Sequence, residues 1–194
     1  MNCIRLILFP LIAFSFVLPG SVEADPPAGY YATVDTSDSQ TLRISLHDII
    51  DDHTQYPYSY DIINVADEDP LNSDNVLVVY ENYTYLKQDS GAANYNREHT
   101  WPSSYGLPDG SYPYTDYHHL MASRVSYNSD RGSRPFDYCV GCEELWTVNY
   151  NGEGGGTGVY PGNSNWRSAT DGPQGSWEIW IGRRGDVARA MFYR

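Results

Sequence analysis

One stretch constrains the fold more than any other. Residues 75–83 read NVLVVYENY, a run rich in Val and Tyr whose apolar positions are continuous. Alternation would mark a strand with one wet face. A continuous run marks a strand covered on both sides, so the core must be built around it. Flanking segments supply the partners. In TLRISLHDIIDDH (41–53) the i, i+3, i+4 spacing from Leu46 through Ile49 and Ile50 predicts an amphipathic helix, ended by Asp51, Asp52 and His53. In SWEIWIGRRGDVARAMFYR (176–194), Trp177 to Ile181 reads as a strand. A helix follows from Arg184-Gly185-Asp186, with Asp186 favoured near its N-terminus and Val187, Ala190 and Met191 as its core stripe. The sequence stops at Arg194 after about two turns of that helix, and the reading is of a C-terminus cut short. Residues 115–132 read as polar and loop-like, and NGEGGGTG (151–158) as a flexible loop. Strands and helices in this order give an α+β class. Residues 25–41 form a polar lead-in and 42–194 one domain, since 194 residues build one proper core and not two.

The first 24 residues are set apart from this fold. Arg5, an apolar stretch from Leu6 to about Leu18, and Val22-Glu23-Ala24 have the order of a secretory signal. The apolar stretch is short for a membrane span. The expected mature chain begins near Asp25, is secreted or periplasmic, and has no membrane segment. Cys3 leaves with the signal. Cys139 and Cys142, in DYCVGC, then form an even pair, which in an oxidising compartment reads as a disulfide. A redox-active pair would want a strand-then-helix context. A zinc site with His118 and His119 would want adjacent histidines to reach one metal, which they rarely do.

The charge argues against a polyanionic partner. The formal net charge is -13, and Lys87 is the sole lysine among 12 basic residues. An acidic surface repels nucleic acid at long range; its ordinary meaning is solubility, or adaptation to salt. Against this stand three polar clusters: Glu98–His99, His118–His119, and Asn128 with Arg131. Hydrolysis of a phosphodiester needs a base to activate water, a hard cation to offset charge on phosphate, and a donor to position it. A neutral His is a natural base near neutrality, a Glu carboxylate and an Asn carbonyl suit Mg²⁺, and Arg grips phosphate with a planar fork. Each cluster taken singly fits equally well with surface residues or hydrogen-bonded core histidines. In a strand, Glu98 and His99 would diverge unless a bulge or strand end lets both reach one pocket. Eighteen Tyr and five Trp also suit a non-catalytic module that binds sugars or surfaces through aromatic faces.

Taken in order, the clusters resemble the endonuclease I family of exported bacterial nucleases. The matching segments are Asn96-Arg97-Glu98-His99-Thr100-Trp101-Pro102, then Asp116-Tyr117-His118-His119-Leu120, then Tyr127-Asn128-Ser129-Asp130-Arg131-Gly132. The likeness runs over roughly residues 42–193. It implies a mixed fold built around a ββα-metal (His-Me) finger. His99 would be the general base and Arg131 a second catalytic residue, holding phosphate or the site's structure. Glu98 and Asn128 would hold one Mg²⁺, with Ca²⁺ or Mn²⁺ as substitutes. Arg97, His118 and His119 would bind substrate or shape the pocket. The implied activity is that of a monomeric endonuclease cutting DNA, with RNA an open second substrate, and little sequence preference. The sequence departs from the family pattern at Tyr127, where Val is usual, and at Ala122 and Arg124, where Pro and an acid often stand. An inactive, truncated nuclease is the remaining alternative.

Overall fold

A computed structural model describes residues 26–50, 54–91 and 93–193. The expected signal peptide, the Asp51–His53 helix end and Arg194 lie outside the described residues. The chain divides into two units, residues 1–51 and 52–194. In the first, helix α1 spans Ser39–Ile50. It starts well before the expected Leu46, because Asp38 Oδ1 accepts the amides of Gln40 and Thr41, both at 2.8 Å. That is N-cap geometry, which satisfies amides that the first turn leaves unpaired. The same bonds, that from Thr41 foremost, hold the Asp38 carboxyl below its ordinary pKa.

In the second unit, helix α2 (Tyr60–Ala66) precedes an antiparallel sheet of β1 (Glu68–Asp69), β2 (Asn72–Leu77) and β3 (Thr84–Leu86), in the order β1-β2-β3. Strand β4 (Tyr95–His99) pairs antiparallel with β5 (Leu120–Arg124), with Tyr95 opposite Arg124 and His99 opposite Leu120. Helix α3 (Val125–Arg131) follows β5 without a break. A third antiparallel sheet takes β6 (Glu143–Leu145), β7 (Asn165–Arg167) and β8 (Trp177–Glu178), and helix α4 covers Arg184–Tyr193. The class is α+β, as expected. Among the described residues no helix is long and apolar enough to cross a membrane.

Within the run at 75–83, residues 76–82 are buried as predicted while Tyr83 is exposed, and only the start of the run is strand. It passes between two cores. Val76 and Val78 pack with Tyr60, Ile63, Tyr95, Leu120 and Ala122; Val79 and Tyr80 pack with Leu145, Trp177, Ile179, Trp180 and Val187. The change of core falls between Val78 and Val79, just past Leu77, where the ladder ends. Beyond it the backbone is satisfied from outside. Val79 N–H donates to Ala122 O (2.9 Å), Trp180 Nε1–H to Val79 O (2.9 Å), and Asn165 Nδ2–H to Tyr80 O (2.7 Å). Asn82 then reverses the chain at φ 54°. Its side-chain amide donates to the carbonyls of Val148, Tyr150 and Glu153.

Three expectations are corrected. Residues 115–132 are not loop but contain β5 and α3. Their polar look arises because Ser123, fully buried, interrupts the apolar set of Leu120 and Ala122. The glycine-rich 151–158 segment is a loop pinned to its neighbours. A β-carbon on Gly154, at φ +76°, would lie 2.3 Å from Val148 O, and Asn163 Nδ2–H donates to Gly154 O at 3.1 Å. The strand expected over 177–181 stops at Glu178. Helix α4 does bury Val187 and Ala190, and Met191 packs on the second core.

Asp67 follows α2, where its Oδ2 accepts Ala122 N–H at 2.5 Å. Burial, opposed by that bond and by Arg183 and reinforced by Asp186, lifts its pKa from 3.8 to about 6. A carboxyl raised on folding favours the fold most fully below its unfolded pKa and loses that contribution as pH rises through about 6. Asp67→Asn keeps an acceptor for Ala122 without the charge. It should therefore stabilise the chain by about 2 kcal/mol at ~pH 8 and have little effect at ~pH 4, measured by urea unfolding of both proteins at each pH. A gain that does not change with pH would contradict this account of Asp67.

Candidate active site

The site grows from the end of β4 and the inner face of α3. Pleating sends Glu98 and His99 to different surroundings, yet β4 ends at His99. Both side chains therefore line one cavity of about 290 Å³, together with Asn96, Arg97, Asn128 and Arg131. The strand end resolves the divergence that the sequence posed.

Glu98 is 3% exposed. Its Oε1 accepts the Tyr80 hydroxyl at 2.6 Å and Arg131 Nη1–H at 3.0 Å. Burial raises the Glu98 carboxyl pKa, against the pull of the Arg131 guanidinium and the Tyr80 hydroxyl. Burial, and then the Glu98 charge, push the Tyr80 hydroxyl well above its ordinary value, so it remains a donor. Arg131 is 1% exposed. Besides Glu98 it donates to the carbonyls of Arg134 (Nε, 3.1 Å), His99 (Nη1, 2.9 Å) and Thr100 (Nη2, 2.7 Å), and its plane lies over Phe136. All four acceptors belong to the chain itself, so the guanidinium ties Glu98 to the backbone that follows it.

His99 stacks on Tyr58 (centroids 5.6 Å, 25°) and leans on Tyr114 at 4.5 Å. Its Nε2 lies 2.8 Å from Tyr114 O. A carbonyl can only accept, so Nε2 carries the proton and Nδ1 the lone pair. Burial, foremost among several causes, lowers the His99 pKa to about 4; at neutral pH the ring is uncharged. From α3, Asn128 Nδ2–H donates to Asn96 Oδ1 at 2.6 Å, which fixes the amide plane and leaves its carbonyl oxygen as the group it can offer a cation. Arg97 lies over Tyr58 (3.7 Å) and Tyr60 (4.6 Å) and donates Nη1–H to Tyr58 O at 2.6 Å. Among the described residues no carboxylate forms an ion pair with it.

The remaining expected residues do not all converge. His119 is fully buried behind His99, with ring centroids 5.6 Å apart and Nε2 donating to Pro113 O at 2.7 Å. His118, expected to shape this pocket, faces elsewhere. Its Nδ1 meets Asp116 Oδ1 at 2.9 Å, its ring stacks on Tyr193, and it lines a different cavity with Asp67, Arg183 and Asp186. The two histidines occupy the turn that leads into β5 and leave it in different directions, so only His119 sits behind His99. Cys139 and Cys142 form a disulfide (Cα–Cα 5.5 Å) away from the cavity, where Cys139 N–H donates to Glu178 Oε2.

The departures from the family pattern are accommodated. Tyr127 donates its hydroxyl to Trp146 O, Ala122 is core, and Arg124 pairs with Glu81. Sequence reading missed Tyr80 and Tyr114. Tyr80 is embedded in the apolar run and reads as core. Tyr114 contributes only a carbonyl and a ring edge, which no side-chain pattern announces.

Among the described residues no group of three or more His, Cys, Asp and Glu could hold a metal. The cavity instead offers one carboxylate and one amide oxygen. That set fits a hard cation that keeps most of its waters, as Mg²⁺ does.

The profile of the Endonuclease I family matches residues 38–194. The chain is 34% identical over 184 residues to an extracellular ribonuclease of Bacillus subtilis (strain 168), covering 92% of this chain and 56% of that protein. It is 34% identical over 191 residues to an extracellular ribonuclease of Bacillus amyloliquefaciens, covering 96% and 57%. The chain thus spans somewhat over half the length of these relatives. No solved structure matches. Together with the ordered β4, β5 and α3 segments, the profile match establishes that the chain belongs to the endonuclease I family.

Proposed function

We propose that the chain is an exported, Mg²⁺-dependent endonuclease that hydrolyses phosphodiester bonds of RNA and DNA with little sequence preference. The observation that carries the reading is the His99–Tyr114 bond, which presents an uncharged imidazole with Nδ1 as its basic atom beside Glu98 and Asn128. In this mechanism His99 Nδ1 takes the proton of the attacking water as the water oxygen bonds to phosphorus and the bond to the sugar oxygen breaks. Arg97 contacts the phosphate. Glu98 and Asn128 hold the cation, with Tyr80 and Arg131 fixing the carboxylate as outer groups fix metal ligands generally. A bound Mg²⁺ would supply charge stabilisation on phosphate and leaving oxygen. Its charge would also favour the ionised form of Glu98 that burial disfavours. The relatives' name supports RNA as a substrate, and the segment order of residues 1–24 supports export.

Three outcomes are expected. The purified mature chain should degrade RNA and nick plasmid DNA with Mg²⁺ and not with EDTA. His99→Ala should lower kcat by about 10²–10⁴-fold with an unchanged unfolding midpoint; undiminished cleavage by that variant would overturn the assignment. Arg131→Lys keeps a positive charge but cannot serve the same four acceptors. It should cost about 3 kcal/mol in urea unfolding as well as activity. A variant as stable as the wild type, with only its KM raised, would instead make Arg131 a direct phosphate contact.

A further inference from the structure

We infer that Tyr58 is a positioning residue: with Tyr60 it forms an aromatic clamp that holds the Arg97 guanidinium at the cavity, without a carboxylate partner, for the phosphate of the substrate. The inference deepens the nuclease reading above and rests on its assignment of Arg97.

Positive charge is scarce at the cavity. Two arginines line it, and Arg131 is buried with its donors directed at the chain's own acceptors. Arg97 is the guanidinium left there for phosphate. In a chain with 25 Asp and Glu against 12 Lys and Arg, a cation is readily taken by a carboxylate, as Lys87 is by Glu68 and Arg124 by Glu81. A guanidinium paired in that way has little charge left to offer a phosphate. A phenol face attracts the same cation through its quadrupole and brings no negative charge of its own.

The clamp follows from local sequence. Ser59, between the two tyrosines, is extended at φ -126° and ψ 171°, so Tyr58 and Tyr60 send their rings to one side. Arg97 Cζ lies 3.7 Å from the centroid of Tyr58 and 4.6 Å from that of Tyr60, and Nη1–H donates to Tyr58 O at 2.6 Å. Its Nε is buried with no hydrogen-bond partner among the described residues. The rings and one carbonyl therefore hold the guanidinium, and Nη2 is the group it has left for a ligand in the cavity that it lines. The rings are themselves fixed. Tyr58 packs on Tyr114 at 4.9 Å and on His99 at 5.6 Å. Tyr60 is buried in the first core and meets Tyr95 edge-on. The Tyr117 hydroxyl donates to Pro57 O at 2.7 Å and accepts Ser59 N–H at 3.1 Å, which anchors the segment to the turn before β5. Because Tyr58 touches both Arg97 and His99, a phosphate gripped by the guanidinium lies beside the imidazole.

The test is fluorescence anisotropy with a labelled short DNA duplex at low salt in EDTA, so that binding is read without cleavage. Wild type is compared with Tyr58→Leu, Tyr58→Phe, Arg97→Ala and the Tyr58→Leu/Arg97→Ala double variant, each checked for its unfolding midpoint. Tyr58→Met takes the place of Tyr58→Leu if the latter does not fold. Arg97→Ala should weaken binding by about tenfold or more, and Tyr58→Leu by about fivefold. Tyr58→Phe keeps the ring and should bind like wild type. The double variant should bind no more weakly than Arg97→Ala alone, whereas a merely structural role for Tyr58 would lower affinity equally in both backgrounds. That equal loss would overturn the inference. So would a folded Tyr58→Leu that binds like wild type, a Tyr58→Phe as weak as Tyr58→Leu, or a wild type whose affinity is absent or independent of Arg97. Cleavage with Mg²⁺ is scored separately. A chain that binds through Arg97 and Tyr58 yet hydrolyses nothing would retain the clamp and lose the nuclease reading.

Discussion

The buried pair of Glu98 and Arg131 is the interaction on which the site depends. It joins the end of β4 to the last turn of α3, alongside the Asn128–Asn96 bond and the β4–β5 ladder from which α3 runs on directly. Removing two charges from water is costly, and such a pair adds little net stability over apolar residues of the same volume. Here the cost is offset by a full set of partners: the Tyr80 hydroxyl on the carboxylate, and three backbone carbonyls on the guanidinium. What the pair contributes is position. Two of those carbonyls belong to His99 and Thr100, so the same guanidinium that orients Glu98 also fixes the backbone of His99.

The two cores meet behind this pair. Residues 76–80 thread between them, and Tyr80, packed on Trp177 in the second core, turns its hydroxyl to Glu98. The site is thus tied to the third sheet as well as to β4 and α3. His99 is framed from the other side, by Tyr58 before α2 and by the carbonyl of Tyr114. A fixed tautomer and a buried, uncharged ring follow from that frame, and both suit the base proposed above.

Much of this was legible in the sequence. The apolar run at 75–83 had to be central, and the adjacency of Glu98 and His99 only made sense at a strand end. The resemblance carried the ordering of the three segments. Residues 115–132 were misread because a strand that buries Ser123 beside Ala122 has no clean alternation. Tyr80 was hidden because a tyrosine in an apolar run looks the same whether its hydroxyl meets water or a carboxylate. Arg131 was ambiguous for a related reason: a guanidinium that serves carbonyls and one that serves phosphate are identical in sequence. His118 and His119 look like a unit, but they sit in the turn before β5, which puts one behind His99 and the other in a different cavity.

The account turns on Glu98 being a cation ligand held ready by Tyr80 and Arg131. Calorimetric titration of Mn²⁺ and Mg²⁺ into the wild-type chain, Glu98→Gln and Tyr80→Phe tests this most directly. A single site in the wild type, lost in Glu98→Gln and weakened about 10- to 100-fold in Tyr80→Phe, is the predicted result. Metal binding by Glu98→Gln that matches the wild type would contradict it.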